Sequence, residues 1–522
     1  MLGKTKLWLN LALLAAVTSV LLLAPRTGEA APCTTTLSAG DAIQTAIDAA
    51  SSGAVICLDP GTYSPGAKID IDKSITLQGP QSGVDPRPSS GTSRTPGDST
   101  TEAVIDGTSG GLGGIIEISA DDVVLDGLNV KSGSSDLIAS DSNSDISGIV
   151  IKYTIIHAAT GDEGIQLRDC TNCVIAFNHV FDIRQDGINM CCGSTGGAIQ
   201  FNEVHDNTSE NAAIYIYDST DMLIKGNLVY DVTGNDGIKL GTKGGDNQSN
   251  AGGSIVDNVV YDTAQDGITV YMSDTLVSRN YVSSSSSENG AIYVAFAVEN
   301  VDITYNCVYD NVLDTGKWGD PAGVLIGTGV LSATVNHNFF QGNSPNGVSN
   351  KAAGIASLNA EDNWWGAADG PSVAGPGSGD GVSTGVDFDP FLDTPHRCGP
   401  GENIDSSLTL NDLDQSYSSN TVGGACPGGV HTLSAEFENT ADPEVSFLAL
   451  SFYVATLTNG ATLLNSDVPF GGVGSTLSVA PGDVGDGDGT LNFGETLTQT
   501  FEVCLAKRAK YTFLVNAFGV DP

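Results

Sequence analysis

The chain of 522 residues carries 62 acidic and only 21 basic residues, which gives a formal net charge of −41 at pH 7. Such a surface repels polyanions, so DNA, RNA and anionic membranes are excluded as expected partners. Glycine is abundant, at 65 residues, and charged residues make up only 16% of the chain. This composition is typical of short strands joined by tight turns, and it predicts few long helices.

Residues 1–30 have the pattern of a cleaved signal peptide. Lys4 and Lys6 precede an apolar run from Leu7 to Ala24, and Gly28-Glu29-Ala30 has the small residues of a cleavage site before Ala31. The alternative is a transmembrane anchor, because the run has about 18 residues, close to the length of a membrane span. The basic start and the small-residue exit favour cleavage. We therefore expect a secreted or cell-surface protein with no membrane span after cleavage.

Residues 31–80 predict a cap at the start of a repeat domain. Ile43 and Ile47 lie four residues apart and form the apolar stripe of a short helix. Strand-like segments follow at 54–58 and 69–79. A short amphipathic helix can close the open end of a solenoid, whose terminal units differ from the internal ones.

A repeated pattern dominates the middle of the chain, from Ile165 to Asp310. Each copy reads Ile-x-x-Asn-x-Val, then an aromatic residue, an acid, a short polar loop and Asp-Gly-Ile. Periods of about 20 to 50 residues indicate stacked repeats, each burying its apolar edge against its neighbours. The asparagines of the pattern recur every 22 to 32 residues, at Asn178, Asn202, Asn227, Asn258, Asn280, Asn306, Asn338 and Asn363.

Each regular coil divides into three predicted strands. The first begins with Gly-Ile, the second is centred on the isoleucine three residues before the asparagine, and the third contains the valine two residues after it. A sharp change of direction needs a residue that tolerates left-handed backbone angles, and Asn is the commonest choice after Gly. We expect the asparagines to adopt those angles and to hydrogen-bond to one another along the solenoid. This is a structural role and not a catalytic one.

Motifs at both ends of the repeats resemble those of secreted right-handed parallel β-helix proteins, the pectin-lyase-like superfamily. The N-terminal motifs are Ile-Gln-x-Ala-Ile-Asp-x-Ala from Ile43, Pro-Gly-x-Tyr from Pro60 and Lys-Ser-Ile-Thr-Leu-x-Gly from Lys73. The closing motifs are Asn-Trp-Trp-Gly from Asn363, Asp-Gly-Pro-Ser from Asp369 and Gly-Val-Asp-Phe-Asp-Pro-Phe from Gly385. The resemblance covers residues 33–395 and implies an all-β fold, a right-handed parallel β-helix of about ten coils within residues 31–398. The superfamily includes lyases, hydrolases, esterases, epimerases and binding proteins, so it does not fix the chemistry.

The repeat pattern ends at Cys398. Residues 399–404 predict a linker, and residues 405–522 alternate apolar and polar side chains without a repeat. Short strands separated by turn clusters favour an antiparallel β-sandwich, which we predict as an accessory domain.

One loop of this predicted sandwich matches part of a calcium-binding loop. Asp486, Asp488 and Glu495 occupy its third, fifth and twelfth positions, around a turn at Gly489. The first position is Val484 and not an acid, so an acidic, solvated turn is the alternative.

Ten cysteines in an exported chain predict disulfides. Cys33 and Cys57 could close the N-terminal end, and Cys426 and Cys504 both lie in the C-terminal segment. Cys307 and Cys398 have no obvious partner. The remaining four lie on adjacent repeats, where either disulfides or a four-thiolate zinc site could form, although vicinal cysteines are poorly spaced for zinc. They are Cys170, Cys173, Cys191 and Cys192.

Alternation along the first strand of each coil predicts an outward face. One outward column contains Gln166, Asn189, Tyr215, Lys239, Thr269 and Tyr293, and the next contains Arg168, Cys191, Tyr217, Gly241, Tyr271 and Ala295. Aromatic rings pack on sugar faces, and Arg and Lys bind carboxylates or hydroxyls, so we predict a polysaccharide partner. The strand preference of tyrosine is the alternative explanation. The predicted substrate-binding residues are Gln166, Asn189, Tyr215, Tyr217, Tyr271 and Tyr293.

The loop that enters this strand carries acids in successive coils, among them Glu163, Asp186, Asp236 and Asp266. Neighbouring coils would bring like charges to about 5 Å, which costs on the order of 3 kcal/mol per pair. Solvent screening, protonation or a bound cation would relieve this repulsion. We expect the loops to be exposed and screened. A further hypothesis is that these four residues bind calcium between adjacent coils.

A catalytic function would need groups from this face and this loop. In a uronate-polysaccharide lyase, Arg168 or Lys239 would neutralise the substrate carboxylate, and Asp186 or Asp236 would bind the metal. In a glycoside hydrolase, two carboxylates about 5 to 9 Å apart flank the bond, and Asp186 with Glu163 is the pair to test. The motifs of polygalacturonases, pectinesterases and pectate lyases are missing. The strand histidines do not converge with the acids, and we expect surface or stacking roles for His157, His179 and His205.

The predicted function is therefore that of an exported β-helix protein that binds or processes extracellular polysaccharide on the face of its first strands. The tyrosines of that face and the acids beside it favour this hypothesis. The alternative is a non-catalytic cell-surface adhesive or spacer protein, which the missing enzyme motifs favour.

Overall fold

The computed structural model describes residues 32–108, 111–142, 145–208, 210–241, 251–287, 289–312, 321–395, 398–419, 426–441, 444–466 and 475–520. The predicted signal peptide lies outside these residues. Within them, no helix has the length and apolar character needed to cross a membrane. The chain forms a long parallel β-solenoid followed by two antiparallel sheets, which confirms the all-β prediction.

Three parallel sheets run along the solenoid, one for each predicted strand of a coil. The first-strand sheet has 13 strands, in the spatial order Ile69–Ile71, Ile116–Ile118, Ile138–Ser140, Ile165–Arg168, Ile188–Cys191, Ala212–Tyr217, Asp236–Gly241, Ile268–Val270, Gly290–Val294, Ala322–Ile326, Asn346–Asn350, Gly379–Val382 and Pro371–Val373. The predicted number of about ten coils was too low, because the outer coils lack the Asn motif by which coils can be counted in the sequence.

The other two sheets complete the triangular coils. The second-strand sheet has 14 strands, namely Thr35–Leu37, Val55–Leu58, Thr76–Gln78, Val124–Asp126, Val150–Lys152, Val174–Ala176, Ala198–Gln200, Met222–Lys225, Ala251–Val256, Ser273–Ser278, Val301–Thr304, Ala333–Asn336, Leu358–Asn359 and Val386–Asp387. The third-strand sheet has 11 strands, namely Gly61–Tyr63, Ala103–Asp106, Asn129–Lys131, Ile155–Ala159, His179–Ile183, Glu203–Asn207, Leu228–Val232, Val259–Tyr261, Tyr281–Ser283, Cys307–Tyr309 and Phe339–Gln341. Ile146–Ser147 and Cys170–Thr171 form a further short pair.

The interior of the solenoid is a stack of aliphatic side chains. The isoleucines of the first strands are paired in register from coil to coil. The helix Ile43–Ala49 closes the N-terminal end with Ile43 and Ile47 buried, as predicted. Burial of such side chains, at about 25 cal/mol per Å², is the main stabilising contribution. The column Ile165, Ile188, Ile214, Ile238, Ile268 and Ile292 is 0% exposed throughout.

The asparagines from Asn178 to Asn363 form a buried hydrogen-bonded stack, which we call the asparagine ladder. Asn202 Nδ2, for example, donates to Asn227 Oδ1 at 3.0 Å, and the Asn202 backbone N–H donates to the same oxygen at 2.9 Å. The stacking prediction is correct, but the predicted backbone angles are wrong. The residue before each asparagine takes the left-handed angles, as at Phe177 with φ 55°. The asparagine itself is needed for side-chain bonds between coils.

Five disulfides account for all ten cysteines. Cys33 is bonded to Cys57 and Cys426 to Cys504, and Cys307, in the strand Cys307–Tyr309, is bonded to Cys398, which follows the last coil. The four cysteines on adjacent repeats bond within their own coils, as Cys170–Cys173 and Cys191–Cys192. Since no cysteine is free, the zinc alternative is excluded.

The C-terminal region is built from two antiparallel four-stranded sheets. One contains Glu402–Asn403, Phe513–Val520, Leu448–Leu457 and Thr476–Ser478, and the other contains Leu408–Ser418, Val430–Asn439, Thr496–Cys504 and Thr462–Leu463. Short 3₁₀ helices occur in this region at Asp405–Ser407 and Pro481–Asp483, and another occurs near the start of the solenoid at Pro88–Ser90. The two sheets share one apolar core that includes Phe452, Val454 and Phe501. We call this region the sandwich.

The sandwich docks against the side of the solenoid. Phe177 and Phe201, stacked at 5.1 Å, pack in one buried cluster with Leu448 and Val520 of the sandwich. The backbone N–H of Gly401 donates to Asp257 Oδ1 at 3.0 Å. These contacts leave the first-strand sheet on another side of the coil from the sandwich.

Candidate functional site

The outward residues of the first strands form a continuous surface, which we call the first-strand face. Gln166, Asn189, Tyr215, Lys239, Thr269 and Tyr293 are paired in register across successive coils. In the second column, Arg168, Cys191, Tyr217 and Gly241 are paired in the same way. Because adjacent strands lie about 4.8 Å apart, neighbouring side chains of a column are in reach of one another.

Many of these side chains are buried instead of open to solvent. Tyr217 is 9% exposed, and Tyr215 and Gln166 are each 4% exposed. Asn189 is also buried. The half-buried members of the predicted set are Arg168, Lys239, Tyr271 and Tyr293. Solvent and ligands therefore reach this face mainly at those four residues.

Lys239 lies between two tyrosine rings. Its Nζ is 5.6 Å from the ring centroid of Tyr215 and 5.4 Å from that of Tyr271, within the range of cation–π contacts. Tyr271 packs edge-on against Tyr293 and Phe296, with centroid distances of 6.0 and 4.5 Å. Phe296 is 41% exposed and adds an aromatic ring that the strand pattern did not indicate. The structure thus gathers predicted binding residues around one cation.

Asp236 and Asp266 form a pair of carboxyl groups beside Lys239, which we call the carboxyl dyad. The Thr269 hydroxyl is 3.1 Å from Oδ2 of each, so these two oxygens are at most about 6 Å apart, a range that includes the carboxyl separation of retaining glycosidases. Lys239 Nζ is 3.4 Å from Asp236 Oδ2. Both aspartates are buried. Asp266 also accepts hydrogen bonds from Ser287, Asn289 and Gly290.

The environment of the dyad favours a retained proton. Burial and the charge of Asp266 raise the pKa of Asp236 to about 7, while Lys239 opposes the rise. Burial also raises the pKa of Asp266, against the hydrogen bonds that it accepts. Two carboxyl groups so close do not both ionise readily, and their titrations are coupled. Near neutral pH one member can donate a proton while the other accepts one.

A second carboxyl pair lies on earlier coils. The backbone N–H of Glu163 donates to Asp136 Oδ1 at 3.2 Å. Burial, a side-chain hydrogen bond with Asp136 and the charges of Asp136 and Asp186 raise the pKa of Glu163 to about 9. Asp136 was missed in the sequence because Leu137 replaces the glycine of the Asp-Gly-Ile pattern. The available signal was an acid two residues before the isoleucine.

Asp186 lies between these two pairs. Its Oδ1 accepts from the Ala212 N–H at 3.2 Å, and its Oδ2 accepts from the Asn189 and Asn211 side chains, each at 3.2 Å. Asp186 is 0% exposed, and Asp236 and Asp266 are also buried, so the expectation of exposed, screened acids was wrong for these three: packing between coils buries their carboxylates. The other acids of the loop are exposed as expected, namely Asp182, Asp206, Asp231, Asp262 and Asp310. Between Asp136 and Asp266, Ala212 is the one rung without an acid, and it pairs with Asp236. We call Asp136, Glu163, Asp186, Asp236 and Asp266 the acid column.

The predicted catalytic residues are not gathered at one point. Asp236 and Lys239 are in contact, whereas Asp186 lies two coils away along the sheet. Arg168 lies one coil further and is in register with Cys191. Its Nε is buried and has no hydrogen-bond partner in the described structure.

The predicted calcium ligands come together only in part. Asp236 adjoins Asp266, and Glu163 adjoins Asp186, but the described residues contain no group of three or more His, Cys, Asp or Glu arranged to hold a metal ion. In the sandwich loop, Asp488 accepts from the Thr490 N–H at 2.7 Å and Glu495 accepts from the Asn492 N–H at 2.9 Å. Asp486 accepts weakly from the Asp488 N–H. Calcium stays a prediction at both places.

The three strand histidines belong to the third-strand sheet, away from the acids. His157 stacks on Phe181 at 4.9 Å, and His179 stacks on His205 at 5.0 Å. Burial lowers the pKa of His179 to about 3, so the ring stays neutral. The stacking expectation is correct, although His179 and His205 are buried and not surface residues.

Comparison with known proteins finds one family model and several solved structures to which this chain is similar. Residues 136–297 match the family model for the right handed beta helix region. The solved A-module of the mannuronan C-5 epimerase AlgE6 from Azotobacter vinelandii is 15% identical, with 67% of this chain and 94% of that chain covered and a TM-score of 0.38. The Dettilon tailspike protein is 13% identical, with 91% and 89% covered and a TM-score of 0.42. The pectate lyase Pel9A is 12% identical, with 69% and 78% covered and a TM-score of 0.37. No curated protein matches this chain.

Proposed function

We propose that the protein binds extracellular polysaccharide along the first-strand face and cleaves it by glycoside hydrolysis at the carboxyl dyad. The observation that carries this proposal is the placement of Asp236 and Asp266 around one hydroxyl, beside Lys239 and the tyrosine rings. The five disulfides support an extracellular location, where such bonds persist.

The chemistry of the dyad suits a glycosidase. Hydrolysis needs one carboxyl that protonates the leaving oxygen and one carboxylate that acts as nucleophile or base. The raised pKa of Asp236, about 7, suits the acid. Asp266, held by several donors, suits the carboxylate. A separation below about 6 Å favours the retaining mechanism over the inverting one. Asp236 and Asp266 thus replace Asp186 and Glu163 as the pair to test.

The surroundings of the dyad suit sugar binding. Tyr271, Tyr293 and Phe296 offer ring faces and edges for the apolar faces of sugars. Lys239 and Arg168 carry donors for hydroxyl or carboxylate oxygens. A lyase would use those cations to neutralise a uronate carboxylate, with the orphaned Nε of Arg168 as its supporting observation.

The rival is the non-catalytic adhesive or spacer. Its supporting observation is that the acids already accept hydrogen bonds from neighbouring residues, as a structural network would. A purely structural network predicts that variants of the dyad change stability without changing any interaction with glycans.

The test is a screen of the full secreted chain against neutral and uronate polysaccharides, with reducing ends and unsaturated products measured separately. We expect reducing ends without unsaturation, and a loss of at least about 100-fold in rate for Asp236→Asn and for Asp266→Asn. The matched control is Asp231→Asn, at an exposed position of the strand Leu228–Val232 with φ 52°, which asparagine tolerates. Unsaturated products would establish the lyase instead. Binding without products would leave only the binding function, and an absence of binding to every glycan would favour the spacer.

A further inference from the structure

The sandwich carries a basic cavity in an otherwise acidic protein. The cavity has a volume of about 570 Å³ and is lined by Tyr417, His431, Leu505, Arg508, Lys510 and Tyr511. Lys507, Arg508 and Lys510 fall within four consecutive residues of a chain with only 21 basic residues and a net charge of −41. This opposite local charge marks the cavity as a point where an anion can approach.

Among the described residues, no acid pairs with any of these three cations. All three are exposed, and none forms an ion pair in the described part of the chain. Like charges so close repel one another, and counter-ions or an anionic ligand relieve that repulsion. The arrangement differs from the solenoid, where Lys68, Lys131 and Lys152 each pair with an acid.

Aromatic side chains form the wall of the cavity. The guanidinium carbon of Arg508 lies 5.1 Å from the ring centroid of Tyr417, which is 42% exposed. Tyr511 contacts His431 through a hydrogen bond of 2.6 Å between its hydroxyl and Nδ1. Rings beside guanidinium and ammonium groups match a sugar ring that carries a carboxylate.

The cavity is built on rigid parts of the sandwich. Tyr417 and His431 are directly paired across neighbouring strands. The Tyr417 hydroxyl donates to the Gly428 carbonyl at 2.9 Å, and Gly428 N–H donates to the Leu505 carbonyl at 2.7 Å. The disulfide Cys426–Cys504 joins the same two segments. These bonds hold the aromatic wall in place before any ligand binds, which lowers the entropy cost of binding.

We propose that this cavity binds an acidic saccharide, a sugar residue bearing a carboxylate, as a second binding site separate from the first-strand face. Arg508 and Lys510 bind the carboxylate, and Tyr417 packs against the ring. A second site on the docked sandwich raises the avidity of the whole chain for an acidic glycan. The inference does not depend on the carboxyl dyad.

The experiment is a calorimetric titration of the full chain with a galacturonic acid oligosaccharide and with the matching neutral galactose oligosaccharide. We expect the acidic probe to bind more tightly, and the Arg508→Ala/Lys510→Ala double variant to weaken that binding by at least about tenfold. Tyr417→Ala should also weaken it. Arg184→Ala, an exposed cation on the solenoid, is the control that should change nothing.

Two further arms separate the possible outcomes. Asp236→Asn should leave binding at this cavity unchanged, so a failure here is distinct from a failure of the proposed hydrolysis. Sedimentation of the wild type and the double variant tests whether the acidic surface of a second copy occupies the cavity. The proposal is wrong if the two probes bind equally, if the double variant binds the acidic probe as the wild type does, or if that variant changes only self-association.

Discussion

The asparagine ladder and the acid column are both stacks of polar side chains that run along the solenoid. They differ in how their buried polar atoms obtain hydrogen-bond partners. In the ladder, each amide accepts from one coil and donates to the next, as Asn258 does between Asn227 and Asn280. In the acid column, an ionised carboxylate only accepts, so two ionised neighbours cannot satisfy one another. Its partners come instead from varied residues such as Asn211, Thr269 and Ser287.

The difference indicates which stack is free to carry function. A ladder of amides is complete in itself and repeats the same geometry in every coil. The acid column needs a different set of donors on each coil, and two of its members have raised pKa values of about 7 and about 9. Carboxyl groups with strongly shifted pKa values, close to cations and aromatic rings, occur often at functional sites. The acid column is therefore a better candidate for function than the asparagine ladder.

The largest loss of stability is expected from removing one asparagine of the ladder. Asn258→Ala removes an amide that donates to the Ile224 and Val256 carbonyls and to Asn280, all at 3.0 Å. Buried groups left without partners cost about 1 to 3 kcal/mol each, so we expect the free energy of unfolding to fall by about 4 kcal/mol. The urea midpoint of the solenoid transition measures it.

The control for this variant is Asn411→Ala. Asn411 is exposed on a sandwich strand and donates to Glu438 at 2.9 Å. A solvent-exposed bond of this kind is worth about 0.5 kcal/mol or less. Equal midpoints for the two variants would show that the ladder contributes no more than a surface amide.

The second effect comes from filling the gap in the acid column. Ala212 is fully buried, its N–H donates to Asp186, and it pairs with Asp236. Ala212→Asp would add a charge between two acids, where the nearby Lys239 already pairs with Asp236, and we expect the free energy of unfolding to fall by about 3 kcal/mol near neutral pH. Ala212→Asn has the same shape without the charge, so the difference between their urea midpoints isolates the electrostatic cost. No difference would mean that the column tolerates charge freely.

The fold could be predicted well from the sequence because the spacing of apolar residues follows directly from which side chains are buried. The spacing of isoleucines and valines placed three strands in every regular coil and put Ile188, Ile214 and Ile238 inside. The early and late coils were undercounted because they are built on strands such as Val55–Leu58 and Val386–Asp387, which lack the Asn motif. A coil without the motif is recognised only by its pairing with a neighbour.

The site was predicted less well because burial of a loop depends on contacts between coils. Alternation placed Lys239, Tyr215 and Tyr271 on one face. It could not show that Asp236 and Asp266 share the Thr269 hydroxyl, since that contact joins residues on different coils. The disulfide Cys307–Cys398 was missed for the same reason, because its halves are 91 residues apart.

The third effect is a pH dependence that the acid column should show and the asparagine ladder should not. The pKa of Glu163 is raised from 4.5 to about 9 in the folded chain. The folded state therefore keeps a proton that the unfolded chain releases, and stability falls as pH rises through that window. Glu163→Gln cannot titrate, so its stability should fall less.

We expect the wild type to lose about 1 to 2 kcal/mol more than Glu163→Gln between about pH 5 and pH 8, a figure reduced for the partial exposure of this residue. Urea unfolding at a series of pH values measures the difference. Asn258→Ala is the matched comparison, since its loss of stability should be nearly independent of pH. A parallel pH profile for wild type and Glu163→Gln would show that Glu163 is ionised in the folded chain.

The smallest effect on stability is expected from added calcium. This experiment tests whether protons or a bound cation relieve the repulsion between the carboxylates of the acid column. Hydrogen-bond donors already reach both oxygens of Asp236 and Asp266, so a calcium ion would have to compete with them. We expect millimolar calcium to raise the thermal midpoint by about 2 °C at a pH near 9, where the carboxylates ionise, and not near pH 5. EDTA should reverse the rise, and magnesium, which demands a tighter octahedral site, is the control. If Asp236→Asn responds to calcium as the wild type does, the ion binds away from the dyad, and the sandwich loop with Asp488 and Glu495 becomes the place to test.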